Sequence, residues 1–227
     1  MEYKIINDGN FPMVEATMHA GEQFKLETGS MVSMTNGITL EGKRNGSLLG
    51  ALGKSLLGGE NFFLTTANSN TNNQKLVVAP RGFGNIRHIQ LDGHTNWFLE
   101  DGVFLASDAS IDVSVIRQKG VAAPILGGTG GFFILKTSGS GNLFVESFGS
   151  IVELEVTPDS PITIDNNHVI GWEETVAHEI VMASGVFGFK TGEGLAIKLS
   201  GHGKVLIQSR QPEAFVQTII PFIPTQR

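Results

Sequence analysis

The chain has 227 residues, a net charge of −6, 29 glycines and no cysteine; 41% of it is apolar and 17% charged. That apolar content excludes a disordered chain, and the length suffices for one domain with its own core. The missing cysteines exclude disulfides, thiolate metal sites and a thiol nucleophile, and the acidic balance leaves no electrostatic footprint for nucleic acid.

The opening MEYKIIND carries neither the basic nor the apolar region of a secretory signal. No apolar run approaches the roughly 20 residues that span a bilayer, so a cytoplasmic chain is expected. Glycine far above its usual share, with abundant Val, Ile, Phe and Thr and few charges, points to a turn-dense all-β fold.

Residues 26–42, LETGSMVSMTNGITLEG, read as short strands punctuated by glycine turns. They run into GSLLGALGKSLLGG (46–59), where a short helix is expected over 47–57. NFFLTT and KLVVA then follow as two strands joined by a polar turn. The same order returns as LEDGVFLASDASIDVSV (99–115), GVAAPILGG (120–128), FFILKT, SGSG and NLFVES. It returns again as IDNNHVIGWEETVAHEIV (164–181), ASGVFGFKTG (183–192), LAIKLS, GHG and KVLIQS.

Recurrence at a near-constant spacing predicts three β repeats, at about 11–85, 86–150 and 151–211, within a single domain and followed by a tail over 212–227. Each pair of strands around its glycine turn reads as a β-hairpin. Ile111, Val113 and Val115 alternate with polar residues, as do Val152, Leu154 and Val156, the pattern of strands with one buried face. Pro212 suits the first turn of a second short helix, over 212–219. The expected fold is therefore all-β: three pseudo-equivalent, hairpin-rich repeats around a pseudo-threefold axis, with few short helices.

The catalytic motifs fail on spacing. GALGKS (50–55) would need glycine where Leu48 stands to be a phosphate-binding loop. Gly139 and Gly141 would need a third glycine where Phe144 stands to be a dinucleotide fingerprint. The histidines His19, His88, His94, His168, His178 and His202 form no close pair of the kind common in metal sites, although His88, His178 and a Glu could meet from distant repeats. His178 shares a strand face with Val176 and Ile180 and reads as a hydrogen-bonded or rim histidine. Glu100–Asp101 and Glu173–Glu174 are neighbours on strands, hence on opposite faces, and read as charged rims. No catalytic residue, cofactor or metal is assigned.

What stands out instead is the apolar character of the three connectors, since surface connections are usually polar. Leu48, Leu49, Leu52 and Leu56 lie along one helical face of the first. With Val121, Ile125 and Leu126 of the second and Val186, Phe187 and Phe189 of the third, they would form one apolar patch at one end of a threefold molecule. Such a patch fits a membrane surface or a protein partner; the alternative is that the connectors fold back and plug their own barrel. AFVQTIIPFIP (214–224) is a second apolar element, suited to a subunit contact or a docked tail.

The segments GSMVSM, NGITLEG, LLGGENFFLTT, APRGFGNI, GVFLAS, GGTGGFFILKTSGSGNLFVESFGSIVELEV, DNNHVIGW and GEGLAIKLSGHGKVLIQSR, in this order, resemble a widespread family long catalogued as a domain of unknown function. That family includes the yeast mitochondrial biogenesis protein named for altered inheritance of mitochondria. The resemblance spans about residues 10–220, although the ending SRQPEAFVQTIIP departs from a more basic run. It implies a double-stranded β-helix fold like that of the tryptophan-RNA-binding attenuation protein, and oligomerisation; a homo-oligomer, with a trimer favoured, is expected here. It implies a role in inner-membrane organisation for mitochondrial members and supplies no catalytic residue.

The function expected from these readings is a non-enzymatic, oligomeric scaffold or assembly protein that uses the connector surface. The alternatives are a small-ligand or RNA-binding ring, argued by fold analogy, and a cupin-like metalloprotein. DNA is not an expected partner, and the acidic chain shows no basic comb for RNA.

Overall fold

The computed structural model describes residues 1–7, 9, 11–44, 63–117, 133–182 and 195–224. Its described residues are mostly strand, as composition predicted. After an N-terminal strand β1 (Glu2–Ile6), six strands follow: β2 (Met13–Met18), β3 (Gln23–Glu27), β4 (Met31–Met34), β5 (Ile38–Arg44), β6 (Phe63–Ser69) and β7 (Gln74–Val78). Six more follow: β8 (Ile86–Asp92), β9 (Trp97–Glu100), β10 (Phe104–Asp108), β11 (Asp112–Arg117), β12 (Phe133–Ser138) and β13 (Ser140–Glu146). The last six are β14 (Ile151–Val156), β15 (Ile162–Asp165), β16 (Val169–Glu173), β17 (Val176–Met182), β18 (Leu195–Gly201) and β19 (Gly203–Gln208). Helix α1 (Pro212–Ile219) closes the chain, with Pro212 in its first turn as expected, and runs into a 3-10 turn, Ile220–Phe222.

The same antiparallel pairing is written three times. In the first six strands β2 and β4 flank β7, while β3 and β5 flank β6. In the second, β8 and β10 flank β13, while β9 and β11 flank β12. In the third, β14 and β16 flank β19, while β15 and β18 pair and β18 also pairs β17. Even the irregularity recurs. The register slips by one residue between Met31 and Ser33, between Phe104 and Ala106, and between Val169 and Gly171. A bulge of this kind bends a strand and re-aims its side chains, so it is a built feature rather than a defect.

Two further pairings join the sets: β3 with β10, and β9 with β16. They merge half of one set with half of the next, giving the six-stranded sheets β5-β6-β3-β10-β13-β8 and β11-β12-β9-β16-β19-β14. Two smaller sheets are left at the ends, β1-β2-β7-β4 and β15-β18-β17.

The strands around the glycine turns do exist, but they are not hairpins. β12 and β13 lie in different sheets, as do β18 and β19, and so do β6 and β7 on either side of their polar turn. The turn is a corner through which the chain leaves one sheet and enters another. Gly139 occupies it at φ +103°, where a Cβ would run into the carbonyl oxygen of Ser110. Gly203 sits at φ +152°, and its Cβ would lie 2.7 Å from the Thr175 hydroxyl. Positive φ and a close backbone approach both require glycine there. Within the three sets the consecutive strands that do pair are instead β5–β6, β11–β12 and β17–β18.

Alternation then fills the interior. Val14, Ala16 and Met18 of β2 point inward with Phe24 and Leu26 of β3 and Leu76 and Val78 of β7. A second cluster gathers Leu91, Leu99, Phe104, Ile111, Val113 and Leu143, and a third Ile134, Trp172, Ile197, Leu199 and Val205. Burial at roughly 25 cal/mol per Å² of apolar surface makes these three clusters the main stabilising element. Val115 and Val152 belong to the alternating strands but are exposed, so not every apolar position of the pattern reaches the core.

Candidate interaction surfaces

The ten apolar connector residues, Leu48, Leu49, Leu52, Leu56, Val121, Ile125, Leu126, Val186, Phe187 and Phe189, lie outside the described residues, as does the helix expected over 47–57. The strands that carry them are described. Arg44 pairs with Phe63, Arg117 with Phe133, and Met182 with Leu195. Each connector therefore leaves and rejoins the fold at the loop end of the equivalent hairpin.

A second apolar surface is formed by the tail. Helix α1 buries none of its residues. Phe215 rests on Phe83 and Phe148, with ring centroids 5.7 and 5.4 Å away, and Phe83 in turn meets Phe11 at 6.3 Å. Phe11, Phe83, Val216, Ile220, Phe222 and Ile223 are exposed around this aromatic anchor. Phe83 and Phe148 lie on the links between strand sets, held by hydrogen bonds from Gly149 N to Phe83 O (2.9 Å) and from Arg210 N to Phe148 O (3.2 Å).

A third surface is the edge strand β4. Its four residues are all exposed, with Met31 at 39%, Val32 at 54% and Met34 at 42%. GSMVSM occupies the place that GVFLAS and NHVIGW hold later in the chain, and that alignment was the available signal for this surface.

Among the described residues are open clefts of about 240 and 330 Å³. In the first, Glu153 is held by Arg87 and by Lys204, the latter at 3.0 Å, and these cations keep its carboxyl below the ordinary range, chiefly through the Lys204 hydrogen bond. In the second, Tyr3 donates to Asp108, whose other oxygen accepts from Asn142 N at 2.7 Å and Asn142 Nδ2 at 2.8 Å. Burial pushes the Tyr3 phenol far above its usual range, and the Asp108 hydrogen bond adds to the shift.

His88 and His178 are separately engaged. His88 stacks on Phe144 at 4.9 Å and meets Asn142 Oδ1 at 2.8 Å, whereas His178 packs between Trp172 (5.0 Å) and Phe98 (5.6 Å). Burial lowers the His178 pKa. Among the described residues no group of three or more His, Asp or Glu side chains could hold a metal ion.

Only the first member of each acidic pair lies in a strand, the second falling in the turn that follows, and the pairs do not both form rims. Asp101 is exposed, whereas Glu100 is 9% exposed with Oε1 unpartnered among the described residues. Desolvation raises the Glu100 pKa well above normal, and the neighbouring Asp101 charge adds to it. Glu146 was not singled out by the sequence; burial raises its pKa to about 7 despite a 3.3 Å hydrogen bond from Arg81 N. Glu173 and Glu174 do lie at a rim, receiving Lys204 N (2.9 Å) and Asn96 Nδ2 (2.6 Å).

With this architecture in view, the sequence profile described as mitochondrial biogenesis AIM24 matches residues 3–210. The chain belongs to the AIM24 family. It is 37% identical to an uncharacterized protein of Streptococcus pyogenes serotype M6, over 99% of this chain and 92% of that one. It is also similar to a Streptococcus pyogenes protein of known crystal structure, with 36% identity, a TM-score of 0.81, and coverage of 98% of this chain and 99% of the other. As an AIM24 protein, the chain has its family's stretch end just before α1, so the exposed tail lies beyond the matched region. No helix among its described residues is long and apolar enough to cross a membrane.

Proposed function

We propose that this AIM24 protein is a non-enzymatic, cytoplasmic, homo-oligomeric scaffold whose three apolar connectors engage a membrane surface or a protein partner. In this reading the three strand sets are pseudo-equivalent units around a common axis, in a double-stranded β-helix of the attenuation-protein kind. The observation that carries it is the shared hairpin register: Arg44–Phe63, Arg117–Phe133 and Met182–Leu195 hang the three apolar segments from the same point of the same pairing scheme. Units related by an axis would deliver all three to one rim, where a contiguous apolar patch serves association rather than solubility. A trimer is the favoured assembly.

The test is a combined Leu52→Asp, Ile125→Asp and Phe187→Asp variant, compared with the unmodified chain by liposome flotation and size-exclusion chromatography. The reading expects a folded protein that no longer floats or no longer forms its larger complexes. Unchanged flotation and unchanged association in a folded variant would remove the connectors from the function.

A further inference from the structure

Each six-stranded sheet is two halves of three strands, and the order of the halves is the same in both. One half is β5-β6-β3 or β11-β12-β9; the other is β10-β13-β8 or β16-β19-β14. The terminal sheets supply one further copy of each half: β17-β18-β15, and β4-β7-β2 with β1 added outside. By that pattern β15 and β4 are the two strands of a third junction, yet among the described residues neither pairs with the other. The residues confirm the mismatch. β10 and β16, which have a neighbour at this edge, bury four of their five residues. β4 stands in the same register against β7 and buries none, although it carries Met31, Val32 and Met34.

We infer that β15 of one molecule pairs antiparallel with β4 of a second copy of this chain, so that molecules join head to tail. The register follows from the two junctions inside the chain. Leu26 faces Ala106 and Lys25 faces Ser107; Leu99 faces Gly171 and Phe98 faces Trp172. Leu26, Leu99 and Ile164 hold the same place, opposite Thr65, Leu135 and Ile197. Ser33, Ala106 and Gly171 also match, each following the bulge. Ser33 therefore faces Ile164 of the next copy, and Met34 faces Thr163. The contact completes a six-stranded sheet, supplies partners to two rows of backbone donors and acceptors that are unpaired among the described residues, and covers an apolar edge that lacks the lysines and prolines with which free edges are blunted. Because the two surfaces differ, the contact is heterologous, and it closes into a ring when the rotation per molecule permits. It deepens the assembly part of the proposed scaffold without depending on the connectors, and the aspartate variant above leaves it intact.

The chain has no native cysteine, so paired thiols report without background. Side chains opposite one another on antiparallel strands have Cβ atoms roughly 4.5–5.5 Å apart, near enough for a disulfide after slight adjustment. In the Met34→Cys/Thr163→Cys variant, mild oxidation should give a ladder of linked dimers and higher multimers on a non-reducing gel. Either single variant should give at most dimers at trace level, and Met34→Cys/Ile164→Cys should give no ladder because Ile164 points to the other face. A link within single chains would mean that the edges meet intramolecularly, and no link at all would mean that they do not meet; either result overturns the proposal. Independently, Met34→Lys should abolish the assembled mass in light scattering while leaving circular dichroism unchanged, and adding Thr163→Glu should restore it. Unchanged mass in Met34→Lys also overturns it.

Discussion

β4 and β16 occupy the same place in the same pairing scheme and have opposite fates. Trp172 of β16 is fully buried, against Phe98 at 5.8 Å across the β9 junction, whereas Met34, its counterpart in β4, is 42% exposed. Both strands keep a partner on one side, β19 and β7. The difference is the strand on the other side. Burial here is a property of the neighbour rather than of the segment, because an apolar side chain gains only when another surface removes it from water.

The sharpest way to break this comparison is to truncate both members. Trp172→Ala should cost about 3–5 kcal/mol in urea unfolding, the usual loss for a buried large aromatic. Met34→Ala in dilute, unassembled protein should cost under about 0.5 kcal/mol, as for an exposed site. Equal losses would mean that the β4 edge is already covered.

A second test concerns the junction between β3 and β10. Glu146 follows Val145 as Gln208 follows Ile207, and Gln208 donates to Asn167 O at 2.8 Å and accepts from Phe148 N at 2.8 Å. The raised Glu146 pKa means that the folded state holds the proton more tightly than the unfolded chain does. Stability contributed by the neutral carboxyl is therefore full below the ordinary value of 4.5 and falls as pH rises towards about 7. Glu146→Gln should remove that slope and stabilise the protein at pH 8 by roughly 2–4 kcal/mol, read from unfolding midpoints between pH 5 and 8. A parallel pH dependence in the variant would reject the assignment.

Smaller effects follow at the corners and the tail. Gly139→Ala should cost roughly 1–3 kcal/mol, from positive φ and the collision with Ser110 O. A thermal melt at fixed pH checks it. Phe215→Ala removes the aromatic anchor of a helix that buries nothing, so about 1 kcal/mol or less is expected in the melt. The tail should meanwhile become markedly more sensitive to limited proteolysis. A large fall in the melt would show that α1 belongs to the core after all.

Much of the secondary structure was legible locally. Pro212 marked the start of α1, and strands around SGSG and GHG appear as β12, β13, β18 and β19. Their partners were not legible, because a glycine turn between two strands has one appearance whether the chain folds back on itself or turns a corner into another sheet. The acid at Glu100 looked like a rim residue for the same reason: alternation says which face a side chain takes, but not what covers that face. The apolar connectors could be read from sequence and lie outside the described residues, whereas the β4 edge, read only as part of a recurring prelude, became a candidate once its counterparts were seen buried.

From its residues alone this protein declares a glycine-punctuated all-β chain, membership in a family by ordered motifs, and a recurring order of strands and apolar connectors. These are written within a few residues of one another, in alternation, turn chemistry and composition. Only the tertiary structure decided which strands pair, that Glu146 is buried, and that β4 and β15 stand at the edges of two smaller sheets. Pairing joins residues far apart in sequence, and its energy depends on surfaces that no local window contains.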